Sequence, residues 1–264
     1  KSGITEKKED LKVVEIPDGV SEIGIFAFAD CVNLEMVTLS DGIKEIEMGA
    51  FYNCPNLKDI KLPERLEVIR NGAFLKCKSL TEIDIPGDVR VIEEGAFSEC
   101  SSLTNVQLPN TITEIKEKTF SDCINLKSIY LPDSLKIVGA SAFYNCSSLS
   151  TVRMSEGIER VEENAFWGTE FLKSGMADEY GSVYLGKVLL YNKGLNSTVI
   201  VKDSTKVIAN AVFINNSKLR EIELPEGIIE IGDNCFENCT ALKKINIKEG
   251  LKRIGINAFA HSGL

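Results

Sequence analysis

Apolar residues recur along this chain at a fixed spacing. Phenylalanine stands at 28, 51, 74, 97, 120, 143 and 166, and again at 213, 236 and 259, each time a step of 23. A period of this length marks a solenoid, in which each unit buries its apolar face only by stacking on its neighbours. One unit reads Leu57-x-x-Ile60-x-Leu62-Pro63-x-x-Leu66-x-x-Ile69-x-x-x-Ala73-Phe74-x-x-Cys77, and the next repeats it with Leu80, Ile83, Ile85, Pro86, Val89, Ile92, Ala96, Phe97 and Cys100. The alternation Ile60-x-Leu62 predicts a short strand with both side chains inward. Proline at 17, 63, 86, 109, 132 and 225 ends that strand and turns the chain. Leu66-x-x-Ile69 predicts a second extended piece. The small and apolar spacing from Gly72 to Cys77 predicts about one turn of helix. The expected fold is an α/β repeat of about ten 23-residue coils, with parallel strand ladders and short helical turns. It is expected to form one domain over 1–264, with residues 1–10 a polar lead-in.

The period breaks once. Phe213 follows Phe166 by 47 residues, yet Leu172 matches the end of one coil and Val199 and Val201 match the start of another. About 24 residues, roughly 173–198, are therefore inserted. Val183-Tyr184-Leu185 and Val188-Leu189-Leu190-Tyr191, joined by Gly186-Lys187, read as a hairpin with glycine at the first turn position. Such insertions project from one face of a solenoid. The hairpin is expected to pack beside the coil of Phe166, with Trp167 and Phe171 as its apolar footing. Leu185, Val188 and Leu190 are too apolar to stand alone in water.

Composition narrows the function classes. The net charge is −9, so a nucleic-acid partner is not expected, because binding there needs a basic surface. No apolar run approaches the roughly 18 residues of a membrane helix. The chain opens at Lys1 rather than Met, which implies removal of an upstream segment, and no secretory signal is visible in what remains. At the other end, the chain stops where a coil should begin, so a further segment or a poor cap is expected. Of the eight cysteines, seven lie three residues after a repeat phenylalanine, and Cys235 replaces the repeat alanine. They read as small buried apolar residues with free thiols.

Catalytic and metal chemistry find little support. His261 is the only histidine and sits in a polar column with Asp30, Asn53, Lys76, Glu99, Asp122, Asn145 and Asn238. The cysteines lack zinc spacing, and no calcium loop is present. Glu93-Glu94 and Glu162-Glu163 recur at equivalent positions and read as a solvated edge. Acceptor patterns stand at Asn145, Asn196, Asn215 and Asn238, and the three that fall at the turn after a phenylalanine, Asn145, Asn215 and Asn238, read more simply as turn residues. No catalytic, cofactor or metal site is expected.

The outward strand positions say more. One column runs Glu15, Thr38, Lys61, Asp84, Gln107, Tyr130, Arg153, Glu223 and Asn246, and its neighbour runs Met36, Asp59, Glu82, Asn105, Ser128, Thr151, Glu221 and Lys244. Both ends are charged. The middle, Asn105, Gln107, Ser128, Tyr130, Thr151 and Arg153, carries one charge and two residue types enriched at binding hot spots. These six are candidate partner contacts. Tyr184 and Tyr191 of the hairpin join them if the hairpin stands clear of the coils.

The pattern C-x-x-L-x-x-I-x-L-P-x-x-L-x-x-I-x-x-x-A-F, as in Cys77-Lys78-Ser79-Leu80 through Ala96-Phe97, resembles the BspA-like, treponemal-type class of leucine-rich repeat. The resemblance covers about 11–262 apart from the insertion. Departures are Thr169, Asn216 and Ser262 at cysteine positions, and Ser40, Ser155 and Lys248 at proline positions. Members are typically secreted or surface-anchored in bacteria, and several are adhesins for host matrix proteins. The resemblance therefore implies a non-enzymatic, extracellular or cell-surface module that binds a protein partner of the host-matrix or surface class. The alternative is a passive spacer that presents another domain at the cell surface.

Overall fold

The computed structural model describes residues 10–154, 157–174 and 177–264. Residues 1–9, Ser155, Glu156, Gly175 and Met176 fall outside the described residues. The chain forms two compact units. The first is Lys1–Arg153 with Asn164–Lys173, and the second is Met154–Glu163 with Ser174–Leu264.

In the first unit, each coil contributes one three- or four-residue strand to a long ladder. Val13–Glu15, Met36–Thr38 and Asp59–Lys61 pair in parallel and in register, as do Glu82–Asp84, Asn105–Gln107 and Ser128–Leu131, with Thr151–Met154 next in order. The central residue of each strand points in and its neighbours point out, as the alternation requires. A two-residue strand then joins a short ladder, through Glu45–Ile46, Val68–Ile69 and Val91–Ile92, and through Glu114–Ile115 and Ile137–Val138. Between the ladders runs the phenylalanine stack. The rings of Phe74 and Phe97 are fully buried and parallel to within 2°, with centroids 5.3 Å apart.

The expected helical turns do not form. The sole α-helix among the described residues is Glu170–Ser174. The reason lies two positions before and two after each phenylalanine. Around Phe51, Gly49 has φ +59° and Asn53 φ +55°, both left-handed and incompatible with a continuing right-handed helix. The same two columns are left-handed in the other coils as well, and Gly, Asn and Asp fill most of their positions, with Phe26, Lys76, Glu99, Lys118, Ser141, Ala211 and His261 the other occupants. Backbone donors then alternate in direction. Ala50 and Tyr52 donate back three residues, to Glu47 and Gly49, while Gly49, Phe51 and Asn53 donate to Asn71, Ala73 and Leu75 of the next coil at 2.8–3.0 Å. The segment is a third inter-coil ladder.

All eight cysteines are free, buried thiols. In the regular coils each sulfur donates to the carbonyl of the previous coil's phenylalanine, as from Cys77 to Phe51 and from Cys100 to Phe74, both at 3.2 Å. Burial pushes the Cys100 thiol up to about 12 and the Cys77, Cys123 and Cys235 thiols well above their usual range.

The second unit has the same two ladders. Thr198–Ile200, Glu221–Glu223 and Lys244–Ile245 form the long one, and Val207–Ile208, Glu230–Ile231 and Arg253–Ile254 belong to the short one. The insertion forms the expected hairpin, Ser182–Leu185 against Val188–Asn192, with Gly186 at φ +56° in the turn. It does not stand proud, in line with its apolar content, but neither does it lie on a flank. Val188 and Leu189 pair in parallel with Val207 and Ile208, so the second hairpin strand takes a place in the short ladder. Leu185, Val188 and Leu189 are fully buried there, and Leu190 is half-buried. The apolar content that rules out a free hairpin supplies the missing coil's share of core.

Trp167 is 59% exposed, and Phe171 packs on Phe166 with ring centroids 5.6 Å apart. Within its own unit the hairpin turn rests on Ile158, two residues before the strand Arg160–Val161. Lys187 N donates to Ile158 O at 3.3 Å, and a Cβ on Gly186 would come within 3.0 Å of the Ile158 Cβ and carbonyl. Polar bonds close the hairpin's base. Buried Asn192 donates to Ser182 Oγ and Tyr180 O at 2.9 and 3.0 Å, and Asp178 Oδ1 accepts from Tyr180 N and Ser182 N. One polar group is misplaced: Thr205, 1% exposed, occupies the column of Leu66 and Ile228, and its hydroxyl has no hydrogen-bond partner among the described residues.

Candidate binding face

The six candidates of the first unit are brought together. Ser128 lies beside Asn105 and Tyr130 beside Gln107 in the parallel register, and the strand holding Thr151 and Arg153 is the next in order. Adjacent strands lie about 4.8 Å apart, so the six form a compact grid two residues wide and three strands deep. Asn105, Gln107, Tyr130, Thr151 and Arg153 are exposed and Ser128 is half-exposed, with Tyr130 at 51%. Beneath them Val106 and Ile129 are buried, so the grid stands on the rigid core.

The electrostatics of this face differ from those of the rest of the unit. Among the described residues, no ion pair or side-chain hydrogen bond engages Gln107, Tyr130 or Arg153. Lys61 and Asp84, successive members of one outward column, also form no pair. The surroundings of the short ladder are cross-linked instead. Arg70 bonds Glu45 at 2.6 Å and Glu93 at 2.9 Å, and Glu67 holds Lys44 at 3.4 Å and Arg90 at 3.1 Å. The bonds to Glu45 and then Glu93 raise the Arg70 guanidinium further. Glu93 is thus held in a structural lattice rather than standing on a merely solvated edge.

The two hairpin tyrosines lie in the second unit. Tyr184 is largely buried, and its hydroxyl accepts from Lys202 N at 3.3 Å. Burial pushes its phenol up. Tyr191 is half-buried. Neither stands clear of the coils, because the hairpin is part of the ladder.

The other candidate chemistries resolve structurally. His261 sits at φ +56°, in the left-handed column that also holds Asn53, Asn145 and Asn238. That column is a side-chain ladder: Asn53 donates to Asp30 at 2.8 Å, Asn145 to Asp122 at 2.7 Å and Asn238 to Asn215 at 2.9 Å. The amide nitrogens of Asn145 and Asn238 are engaged there, in line with the turn reading of those patterns. At the departures from cysteine, Thr169 Oγ1 donates to its own coil's Phe166 carbonyl at 2.7 Å, and Asn216 Oδ1 accepts from Lys218 N and Leu219 N. No group of three His, Cys, Asp or Glu among the described residues is placed to hold a metal ion. No helix among them is long and apolar enough to cross a membrane.

Coils of this construction define a leucine-rich repeat protein. The family described as BspA type leucine rich repeat region matches in 6 copies, over residues 5–100, 76–181 and 183–264. The chain belongs to that family. Among curated proteins, none matches it. Among solved structures it is similar to a leucine-rich repeat protein from Bacteroides ovatus, with 26% identity over 96% of this chain and 77% of that one and a TM-score of 0.65. It is also similar to the pneumococcal vaccine antigen PcpA, at 23% identity over 93% of this chain and a TM-score of 0.55, and it spans 63% of that antigen's chain. A leucine rich cell surface protein from Faecalibacterium prausnitzii matches at 21% identity over 89% of this chain and 79% of that one, with a TM-score of 0.41.

Proposed function

We propose that the chain is a non-enzymatic, adhesin-like binding module of a secreted or cell-surface bacterial protein. Its contact surface is the long-ladder face of the first unit around Asn105, Gln107, Ser128, Tyr130, Thr151 and Arg153. One observation carries the reading: these outward side chains share a rigid, flat grid, and Gln107, Tyr130 and Arg153 have no partner among the described residues. Groups left unpaired in the free protein can be paired by a partner without breaking anything first, which favours recognition. Family membership supports the surface location and a protein partner, with host extracellular-matrix proteins the first class to test. Tyr184 and Tyr191 would contribute only through the part of each ring left exposed.

The test is solid-phase binding of the purified chain to a panel of host extracellular-matrix proteins. Wild type should bind at least one, and Tyr130→Ala/Arg153→Ala should bind it at least about tenfold more weakly. Unchanged binding by a folded double variant defeats this face. No binding by wild type to any of them favours the spacer.

A further inference from the structure

We propose that the long-ladder face of the first unit takes an extended polypeptide segment, laid across its strands, with a basic side chain at one end and an acidic side chain four residues away. This partner chemistry rests on the contact face proposed above and deepens it. The sheet that carries the six candidates has a fourth strand, Glu82–Asp84, which pairs in register with Asn105–Gln107. Glu82 and Asp84 point outward and are exposed, while Ile83 between them is buried. The face is therefore four strands deep, and its fourth strand presents two carboxylates.

The chemistry of the face is graded from strand to strand. Its outward pairs run Glu82 and Asp84, then Asn105 and Gln107, then Ser128 and Tyr130, then Thr151 and Arg153. Carboxylates stand at one end, a guanidinium at the other, and neutral amides and hydroxyls between. Among the described residues, neither carboxylate has an ion pair or a side-chain hydrogen bond, and Arg153 has none. Three strand steps of about 4.8 Å set the charged ends about 14 Å apart, beyond a Debye length at ordinary salt, so they do not satisfy one another. In the coil before, Asp59 and Lys61 carry opposite charges and leave this polarity unchanged.

That polarity selects the occupant. An extended chain advances about 3.3 Å per residue, so a span of about 14 Å is about four residues. Side chains alternate along it, so residues an even number apart share a side, and both charges face the sheet with the residue midway between them. The midway side chain meets Tyr130, which is 51% exposed. Asn105 and Gln107 favour the extended form over a helix. Each amide offers donors and an acceptor, and no side-chain bond among the described residues uses them. An extended backbone brings free N–H and C=O groups to those amides, whereas a helix has bonded its own. The basic side chain then lies between Glu82 and Asp84, and the acidic one accepts from Arg153.

The probe is the labelled peptide Gly-Arg-Thr-Val-Thr-Glu-Gly, blocked at both ends and followed by fluorescence anisotropy with the whole chain at low salt. It should bind saturably, and more weakly in high salt. The isomer Gly-Arg-Glu-Thr-Val-Thr-Gly carries the same charges at the wrong spacing and should bind about fivefold more weakly. Replacing the peptide's arginine by glutamine should weaken binding to wild type, but should cost nothing further against Glu82→Gln/Asp84→Asn. Replacing its glutamate by glutamine should behave in the same way against Arg153→Gln. Tyr130→Ala should weaken every peptide alike, which tests the face apart from its polarity. If Tyr130→Ala weakens binding but the two isomers bind equally, or the losses in both cycles simply add, the charge register is overturned and the face stands. If neither Tyr130→Ala nor any charge variant changes binding, the face falls with it. Absence of binding to wild type up to millimolar overturns the partner chemistry and leaves the face to the matrix-protein panel.

Discussion

Among the described residues of the first unit, charges around the short ladder are paired from coil to coil, and those in the two outward strand columns of the long ladder are not. Both surfaces are built from residues 23 apart, and both place opposite charges in successive coils. Lys44, Glu67 and Arg90 become a chain of ion pairs, as do Glu45, Arg70 and Glu93. Lys61 and Asp84 have the same spacing, yet among the described residues they stay apart. Stacking alone therefore does not produce pairing. Nor does the type of ladder decide it, because on the long ladder of the second unit Glu221 and Lys244, also 23 apart, form an ion pair. The first surface binds itself, and the second is left to bind something else.

The two surfaces share one core, so the largest effect should come from there and should not distinguish them. Phe97→Ala removes a fully buried ring between two stacked neighbours and should cost about 3–5 kcal/mol in chemical denaturation. A loss under about 1 kcal/mol would mean the stack is not the common support of both faces.

The buried thiols give the next effect, and its sign follows from the direction of their shifts. Cys100 is pushed up to about 12 and Cys239 to about 11, above the usual thiol value in an unfolded chain. Between those values the unfolded chain loses protons that the folded chain keeps. The thiols' contribution is therefore complete below about pH 8.5 and is lost as pH rises toward 11–12, by up to about 1.4 kcal/mol per pH unit for each such thiol. Urea midpoints at pH 8 and pH 10 check this. Equal midpoints would mean that the thiols titrate normally and the column is open to water.

Much of this was legible in advance. The phenylalanine step gave the coils, and the Ile-x-Leu alternation gave the long ladder. The helical turn was misread because helical spacing from Gly72 to Cys77 is also the spacing of a double left-handed turn. The signal was present, since Gly49, Gly72 and Gly95 stand two before the phenylalanine, and Asn53, Asp122 and Asn145 two after. The hairpin was legible as a pair of strands, but its place was not. Nothing local in Val188-Leu189 says that it will pair with Val207-Ile208 rather than lie on a flank. The grid of candidates was readable from the period. Their lack of partners was not, because the same 23-residue step pairs Glu221 with Lys244 and leaves Lys61 and Asp84 apart.

An unpartnered polar group is harmless on the exposed face and should be harmful inside, which Thr205 tests. Its hydroxyl is buried without a partner among the described residues, in a column otherwise occupied by apolar side chains. Thr205→Val keeps the shape and removes the hydroxyl, so it should stabilise the chain by about 1 kcal/mol. A loss of stability would show that the hydroxyl is satisfied and that the column tolerates polarity.

The smallest effects separate the two surfaces directly. Arg70→Ala breaks both its ion pairs, but the side chains are partly exposed and water screens them, so the cost should be about 0.5–1 kcal/mol, less in high salt. Tyr130→Ala/Arg153→Ala removes side chains with no partner among the described residues and should change stability by under about 0.5 kcal/mol. The measurement is a pair of denaturation curves for each variant at low and high salt. A salt-dependent loss in the Arg70 variant alone supports the division into a self-paired flank and an open face. An equal loss in the double variant would mean that the face is also held by its own contacts, and its candidacy as the binding surface would fall with that result.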